Sequence, residues 1–227
     1  MTTTGLTVLK VFVGADGRGG NPLGVILDGA AVPGADRRQA LAARLGFSET
    51  VFVDDAATGS IRIFTPGAEL AFAGHPTVGT GWLLRRLGLG GDVLRPPAGD
   101  VVTWQDGGLG WIRADPAWIH PIDRVQYATP AEVEALVAPD GGEESRYCWA
   151  WVDEAAGVLR SRYFPTALGI REDEATGAAA VMMGGLLGRP LEIRQGVASQ
   201  LLVRPGPAGT VEVGGRVEPV EEREVEG

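Results

Sequence analysis

The sequence is poor in residues that bind metal ions or form disulfides. Its 227 residues include one cysteine, Cys148, and two histidines, His75 and His120. A lone cysteine excludes an intrachain disulfide and a catalytic thiol pair, and the Cys/His spacings of metal sites are missing. We therefore expect Cys148 to be a buried, unreactive thiol and expect no histidine-based metal site.

Lysine is scarce too, since Lys10 is the only one, and the formal net charge is -9. Without a stripe of basic residues, the chain is not expected to bind nucleic acid. No apolar run reaches the roughly 18 residues of a membrane span, and residues 1–5 lack the features of a signal peptide. We expect a cytoplasmic protein with no membrane partner, whose acidic segment 218–224 is a solvated terminus.

The 35 glycines and 15 prolines indicate many tight turns and favour β structure. Amphipathic or small-residue patterns predict helices over 35–45, 75–88 and 176–187. Runs of β-branched and aromatic residues predict strands near 7–13, 24–27, 50–53, 60–64, 146–152, 158–164, 191–194, 201–203 and 210–213.

The second half of the sequence repeats the plan of the first. A strand, a proline, a loop, a threonine and a small-residue helix occur twice, with eleven residues from Pro66 to Thr77 and eleven from Pro165 to Thr176. Helix 176–187 carries no charge, so we expect it to be enclosed on all sides. The pattern predicts two similar domains, about 1–114 and 115–227, each a sheet wrapped around a central helix, with terminal strands that could pack on the other domain.

Glu49 is a carboxylate inside an apolar run, flanked by Phe47, Val51, Phe52 and Val53. Burying a bare anion there would be costly, so the side chain must be paired, protonated part of the time, or placed in a working cleft. The apolar neighbours are expected to raise its pKa towards neutrality.

Two loops, 74–80 and 173–178, lead into the predicted helices and could each bind a carboxylate or enolate oxygen through free backbone amides. An alternative is that their small residues only permit close packing. His75 could donate to a substrate oxygen or relay a proton, or it could bond nearby backbone. Asp173 could be simply a helix cap. The candidate binding residues in these loops are Gly74, Thr77, Thr176, Gly177 and Ala178.

Six short segments carry a family resemblance in their order and spacing. They are Gly20-Asn21-Pro22-Leu23-Gly24-Val25, Phe47-Ser48-Glu49-Thr50, Ile63-Phe64-Thr65-Pro66, Phe72-Ala73-Gly74-His75-Pro76-Thr77, Glu172-Asp173-Glu174-Ala175-Thr176-Gly177 and Val213-Gly214-Gly215. Together they resemble the successive signatures of the PhzF phenazine-biosynthesis family, over essentially the whole chain.

The resemblance implies the α+β fold of diaminopimelate epimerase, with two pseudosymmetric domains, an active site between them and often a homodimer. It implies isomerase chemistry on a small carboxylate-bearing substrate, without cofactor or metal. In that family the residue matching Glu49 shuttles a proton, while those matching His75 and Asp173 hold the substrate. All three are thus candidate catalytic residues.

Two departures from the family pattern bear on function. Ala178 stands where family members commonly have a serine, and the chain is shorter than usual between about Trp118 and Cys148, which predicts a smaller or more open cleft. The alternative to an isomerase is a small-anion-binding protein that keeps the cleft without chemistry, and a third hypothesis is a scaffolding role. Turnover would separate the first two.

Overall fold

A computed structural model describes residues 3–142 and 145–227 and shows a mixed α/β architecture. The strands are β1 (Thr3–Val13), β2 (Gly19–Ile26), β3 (Glu49–Asp55), β4 (Ser60–Phe64), β5 (Glu69–Leu70), β6 (Val93–Leu94), β7 (Val101–Asp106), β8 (Leu109–Ala114), β9 (Asp123–Gln126), β10 (Ser145–Asp153), β11 (Val158–Pro165), β12 (Leu191–Gln195), β13 (Ser199–Pro205) and β14 (Val211–Glu226). The α-helices are α1 (Ala35–Leu45), α2 (Gly74–Arg86), α3 (Pro130–Glu134) and α4 (Gly177–Leu187).

The chain divides into two compact units that are each discontinuous in sequence. The first unit comprises residues up to Val11, Pro22–Ile112 and Val217–Gly227. The second comprises Phe12–Asn21 and Arg113–Arg216. Each unit therefore takes a strand segment from a distant part of the sequence.

In the first unit the main sheet has the order β5-β4-β3-β2-β1. Strands β2 and β3 are parallel, and β3, β4 and β5 are antiparallel neighbours. The parallel pair follows from the sequence, since α1 lies between β2 and β3 and returns the chain to the same end of the sheet. Buried apolar residues of α1, the sheet and the β2–α1 connection form one cluster, Leu6, Val8, Ile26, Val32, Leu41, Ala42, Phe52 and Phe64.

Helix α2 is the central helix of the first unit, and its residues from Gly74 to Leu84 are all buried. Close approach explains its small residues. A Cβ added to Gly79 would lie 2.6 Å from Leu23 Cδ2 and 2.8 Å from Val11 Cγ2, so only glycine fits against these two strands. The helix can therefore lie directly on the sheet.

In the second unit the sheet has the order β14-β13-β12-β11-β10-β9. The β11/β12 and β9/β10 pairs are parallel, and the other neighbours are antiparallel. Helix α4 packs on β13. A Cβ at Gly184 would lie 2.7 Å from Val203 Cγ1 of β13 and 2.5 Å from Val211 Cγ1 of β14. A small-residue helix against a sheet thus occurs in both units.

Full enclosure of α4 is a wrong prediction for its last turn. Gly185 is exposed and Leu186 is 49% exposed, although Val181, Met183 and Gly184 are buried. Helix α4 thus lacks charged residues for two reasons. Most of the helix is closely packed, and its C-terminal end has an exposed apolar surface.

The stretch before β10 contains α3, a helix of five residues with a capping box formed by Thr129 and Glu132. Only Val133 of this helix is buried. Arg160 holds its end through Glu134, with Nε 2.5 Å from Oε1. One ion pair therefore supplements the small apolar contact of this helix.

The acidic segment 218–224 was expected to be a solvated terminus, and its side chains are indeed mostly exposed. Its backbone, however, belongs to β14, which runs from Val211 to Glu226. Val225 also packs against the apolar cluster of the first unit. A strand whose side chains are solvated needs few apolar residues. The acidic composition of this segment therefore gave no sign that it forms a strand.

Cys148 is buried in β10, as predicted, and burial raises the pKa of its thiol. Among the helices formed by residues 3–142 and 145–227, none has the length and apolar character needed to span a membrane.

Candidate active site

Glu49 is the first residue of β3, opposite Leu23 of the parallel strand β2. The next four residues of β3, 50–53, are all buried, while the Glu49 side chain remains 15% exposed. The strand therefore places a carboxylate at the edge of an apolar interior.

His75 lies beside this carboxylate, in the first turn of α2, and its side chain is 3% exposed. The distance from His75 Nε2 to Glu49 Oε2 is 3.4 Å. Desolvation raises the pKa of Glu49 from 4.5 to about 7, and a hydrogen bond from the Ser48 side chain opposes the rise. The carboxyl is therefore present in both protonation states near neutral pH.

The residues at the start of α2 are compatible with the binding of an anion. Its N-cap, Ala73, is extended and has no side chain that could cap the helix, and the first turn contains no acidic residue. Gly74 is the first helical residue and is buried. The Thr77 hydroxyl donates to the Ala73 carbonyl at 2.7 Å, so this candidate binding residue also closes the first turn.

Asp173 lies in the second unit, buried before α4, and both of its carboxylate oxygens accept hydrogen bonds. Asn21 Nδ2 donates to Oδ1 at 2.7 Å, and the Thr176 hydroxyl donates to Oδ2 at 2.5 Å. The Asp173 backbone N–H donates to the Tyr163 carbonyl at 3.0 Å. The carboxylate is thus held in the loop that precedes the helix.

The start of α4 resembles that of α2 in having no side-chain cap. Thr176 occupies the N-cap position, but its hydroxyl bonds to Asp173 instead of the helix, and the first turn has no acidic residue. Gly177 is buried and Ala178 is partly exposed. The first amides of the helix are therefore not capped by the Thr176 side chain.

The matched eleven-residue spacings do not place the two threonines at equivalent positions. Thr77 is the fourth residue of α2, whereas Thr176 is the N-cap of α4. The equivalent first helical residues are Gly74 and Gly177. The loop before α4 is longer, and the longer loop contains Asp173.

Sequence reasoning missed two polar residues of the second unit. Asn21 and Gln195 are 3% and 1% exposed, and both donate hydrogen bonds to the Asp173–Thr176 loop. Asn21 is in β2 and belongs to the Gly-Asn-Pro segment of the family signature. The signature marked this position but did not indicate which residue Asn21 binds. For Gln195, the sequence indicated only that it lies near the end of a strand, and nothing pointed to its role in binding the loop.

The candidate residues fall into two groups. Glu49 and His75 come together in the first unit, and Asp173 and Thr176 in the second. Within the described part of the chain, no three His, Cys, Asp or Glu side chains gather in a way that could hold a metal ion.

A named enzyme aligns with most of the chain. The trans-2,3-dihydro-3-hydroxyanthranilate isomerase of Pseudomonas fluorescens is 31% identical over 225 residues, spanning 78% of this chain and 81% of that protein. The chain belongs to the PhzF family. The sequence profile of this family, described as phenazine biosynthesis-like protein, matches residues 10–100. The chain is a PhzF-like isomerase.

Solved structures confirm the predicted fold. The PhzF-family protein of Bacillus anthracis superimposes with a TM-score of 0.78 at 21% identity, covering 100% of both chains. A hydroxyproline epimerase from Agrobacterium vitis gives a TM-score of 0.60 at 12% identity, covering 99% of this chain and 92% of that one. The PhzF fold is thus shared with an epimerase of distant sequence.

Proposed function

We propose that the chain is a cofactor-independent isomerase that moves a proton on a small carboxylate-bearing metabolite, with Glu49 as the general acid and base. The observation that carries the proposal is the Glu49–His75 pair, with His75 Nε2 3.4 Å from Glu49 Oε2, in which the pKa of Glu49 is raised to about 7. A general acid and base works best when its pKa lies near the working pH.

In this mechanism the ionised Glu49 removes a proton from a substrate carbon and the protonated form returns it to another atom. His75, in contact distance of the same carboxyl oxygen, orients the substrate by donating to one of its oxygens. Neither step calls for a metal ion or an organic cofactor, because a carboxyl group carries the proton throughout.

The two helix starts support the second part of the proposal, which is the binding of negative charge. Both α2 and α4 begin without a side-chain cap and without an acidic residue in the first turn. Helix N-termini bind anions through free N–H groups and the helix dipole. We propose that such helix starts bind negative charge of the substrate or of the enolate that forms on proton removal.

The substrate of the Pseudomonas fluorescens relative, trans-2,3-dihydro-3-hydroxyanthranilate, is the first compound to test. Ala178 offers no hydroxyl at the partly exposed position that follows Gly177, so a related carboxylate with one polar group fewer is the second. A homodimer and a cytoplasmic location complete the proposal, as the resemblance and the composition imply.

The proposal is tested by replacing Glu49 with Gln, which keeps the shape and removes the titration. Glu49→Gln should bind the substrate yet lose turnover by on the order of a hundredfold or more. Proton exchange into small carboxylates in heavy water, followed by NMR, measures the loss. The control is Glu69→Gln, which removes a carboxylate of the same unit that is paired with Arg62, and this variant should retain turnover.

Two outcomes would contradict the proposal. Undiminished exchange in the Glu49→Gln protein would move the proton shuttle to another residue. Failure of every carboxylate tested with the unmutated protein, together with measurable binding, would indicate an anion-binding protein.

A further inference from the structure

We propose that Asn21 and Gln195 are positioning residues for Asp173 and for the first turn of α4. This inference rests on the proposed function, because the amides that it positions are those proposed to bind the substrate. It adds two residues to the candidates that the family resemblance implied.

The Asp173 carboxylate is oriented by a buried amide. Asn21 Nδ2 lies 2.7 Å from Asp173 Oδ1 and 2.9 Å from the Ala175 carbonyl, so one NH2 group bridges two points of the loop. The other carboxylate oxygen accepts the Thr176 hydroxyl. A carboxylate with a donor on each oxygen is fixed in direction.

Gln195 binds the same loop from the end of β12. Its Nε2 donates to the Asp173 carbonyl at 3.0 Å and to Thr176 Oγ1 at 2.8 Å, and its Oε1 accepts the Thr176 N–H at 3.3 Å. Both ends of one side-chain amide are thus used on residues just before the helix. The buried network links β2, β12 and the loop into one hydrogen-bonded set.

The purpose of such a network follows from the missing cap. Thr176, the N-cap of α4, makes no side-chain bond to the helix, so the network fixes the loop through the Thr176 N–H and hydroxyl without capping the helix. A serine or aspartate cap would stabilise the helix as well but would satisfy an amide that the substrate needs. Asn21 and Gln195 supply rigidity from outside the helix.

The loop also contains negative charge close to amides that attract anions. Hydrogen bonds to Asn21 and Thr176 keep the Asp173 carboxylate on the loop. If Asn21 is removed, the carboxylate loses one of these donors and can turn towards the first amides of α4, where it would compete with a bound anion.

The first measurement uses the free full-length protein and needs no substrate. Asn21→Ala and Gln195→Ala should each speed amide hydrogen exchange in peptides covering 173–180 and leave peptides covering 74–80 unchanged. Thr4→Val, which removes a buried hydroxyl in β1 of the first unit, is the control and should change neither. Unchanged exchange at 173–180 in both folded variants would overturn the proposal.

The second measurement uses trans-2,3-dihydro-3-hydroxyanthranilate as the probe. Both variants should raise KM about tenfold or more while kcat keeps its dependence on an ionisation near pH 7, because Glu49 is untouched. A fall in kcat at unchanged KM would overturn the proposal and indicate direct catalytic contact. No turnover by the unmutated protein would instead contradict the proposed function, and the exchange experiment would still decide the positioning.

A third variant, Asn21→Asp, gives a signature that simple loss of packing does not. Two carboxyl groups would then face each other, and the pair would share one proton at low pH and repel when both ionise. The KM of the Asn21→Asp protein should therefore approach that of the unmutated protein at low pH and increase as pH rises. For Asn21→Ala, the ratio of its KM to that of the unmutated protein should not change with pH. Equal pH dependence of the two variants would contradict a role exerted through Asp173.

Discussion

Glu49 shows that one physical cause can set both reactivity and stability. Desolvation brings the pKa of its carboxyl to about 7, which suits proton transfer near neutral pH. The same desolvation makes the ionised form unfavourable in the folded protein. The residue proposed to be most useful to catalysis is therefore expected to lower the free energy of unfolding.

This loss of stability can be measured as a pH-dependent increase in the free energy of unfolding of the Glu49→Gln protein relative to the unmutated protein. Because the folded-state pKa is raised, the folded protein holds a proton that the unfolded chain releases, so stability falls as pH rises from about 4.5 to about 7. Above that window the shift corresponds to roughly 3 kcal/mol. Glutamine cannot ionise, so Glu49→Gln should be more stable than the unmutated protein at pH 8.

Chemical denaturation at pH 8 and at pH 4 measures this difference, with the pH 4 comparison as the internal control, since both proteins are then neutral at residue 49. A variant that is equally stable or less stable at pH 8, relative to pH 4, would show that burial does not penalise the Glu49 carboxylate.

The sequence predicted the residues of this site unevenly. The apolar run around Glu49 was enough to predict a raised pKa, because the cause lies in adjacent residues. The assignment of His75 to the same site depended on family resemblance. Asn21 and Asp173 are 152 positions apart, so nothing local could pair them. The catalytic roles of Glu49, His75 and Asp173 stay predictions.

At the scale of elements, the central helices depend on glycines that let side chains of the sheet touch the helix backbone. Gly79 in α2 and Gly184 in α4 both meet side-chain carbons closer than 3 Å from where a Cβ would stand. Glycine lowers helix propensity by about 1 kcal/mol relative to alanine, so these positions sacrifice local stability for close packing.

Gly79→Ala should therefore destabilise the first unit even though alanine is the better helix former. Overpacking typically costs about 1–3 kcal/mol, which exceeds the gain of about 1 kcal/mol in propensity. Gly67→Ala, where a Cβ would meet nothing within 4 Å, is the control. Urea denaturation compares the two variants, and a stabilised Gly79→Ala protein would contradict the close approach of α2 to Leu23 and Val11.

Elements with a clear local signal were predicted well. Helix α1 matches its predicted range of 35–45, and β4 matches 60–64, because amphipathic period and turn residues mark both ends. Strand β14 extends far beyond the predicted 210–213, since its acidic residues hid a strand whose pairing is supplied by distant parts of the chain. The exposed end of α4 could not be read from composition either.

At the scale of the whole molecule, the fold was predicted through resemblance and repeat, and the structural relatives confirm it. The predicted division at residue 114 stays a prediction about domains. The structure identifies the exchanged segments, since residues 12–21 belong to the second unit and 217–227 to the first. Such an exchange leaves no mark in local sequence patterns, because it depends on pairing between distant strands.

This exchange sets the order in which the protein can mature on the ribosome. The first unit includes residues 217–227, whose Val225 packs on its apolar cluster, so its structure cannot be completed until translation has passed the whole second unit. Chains arrested before residue 217 should leave 22–112 sensitive to protease, whereas released chains should protect it. Protection in the arrested chains would show that the early-made segment matures without its late-made strand.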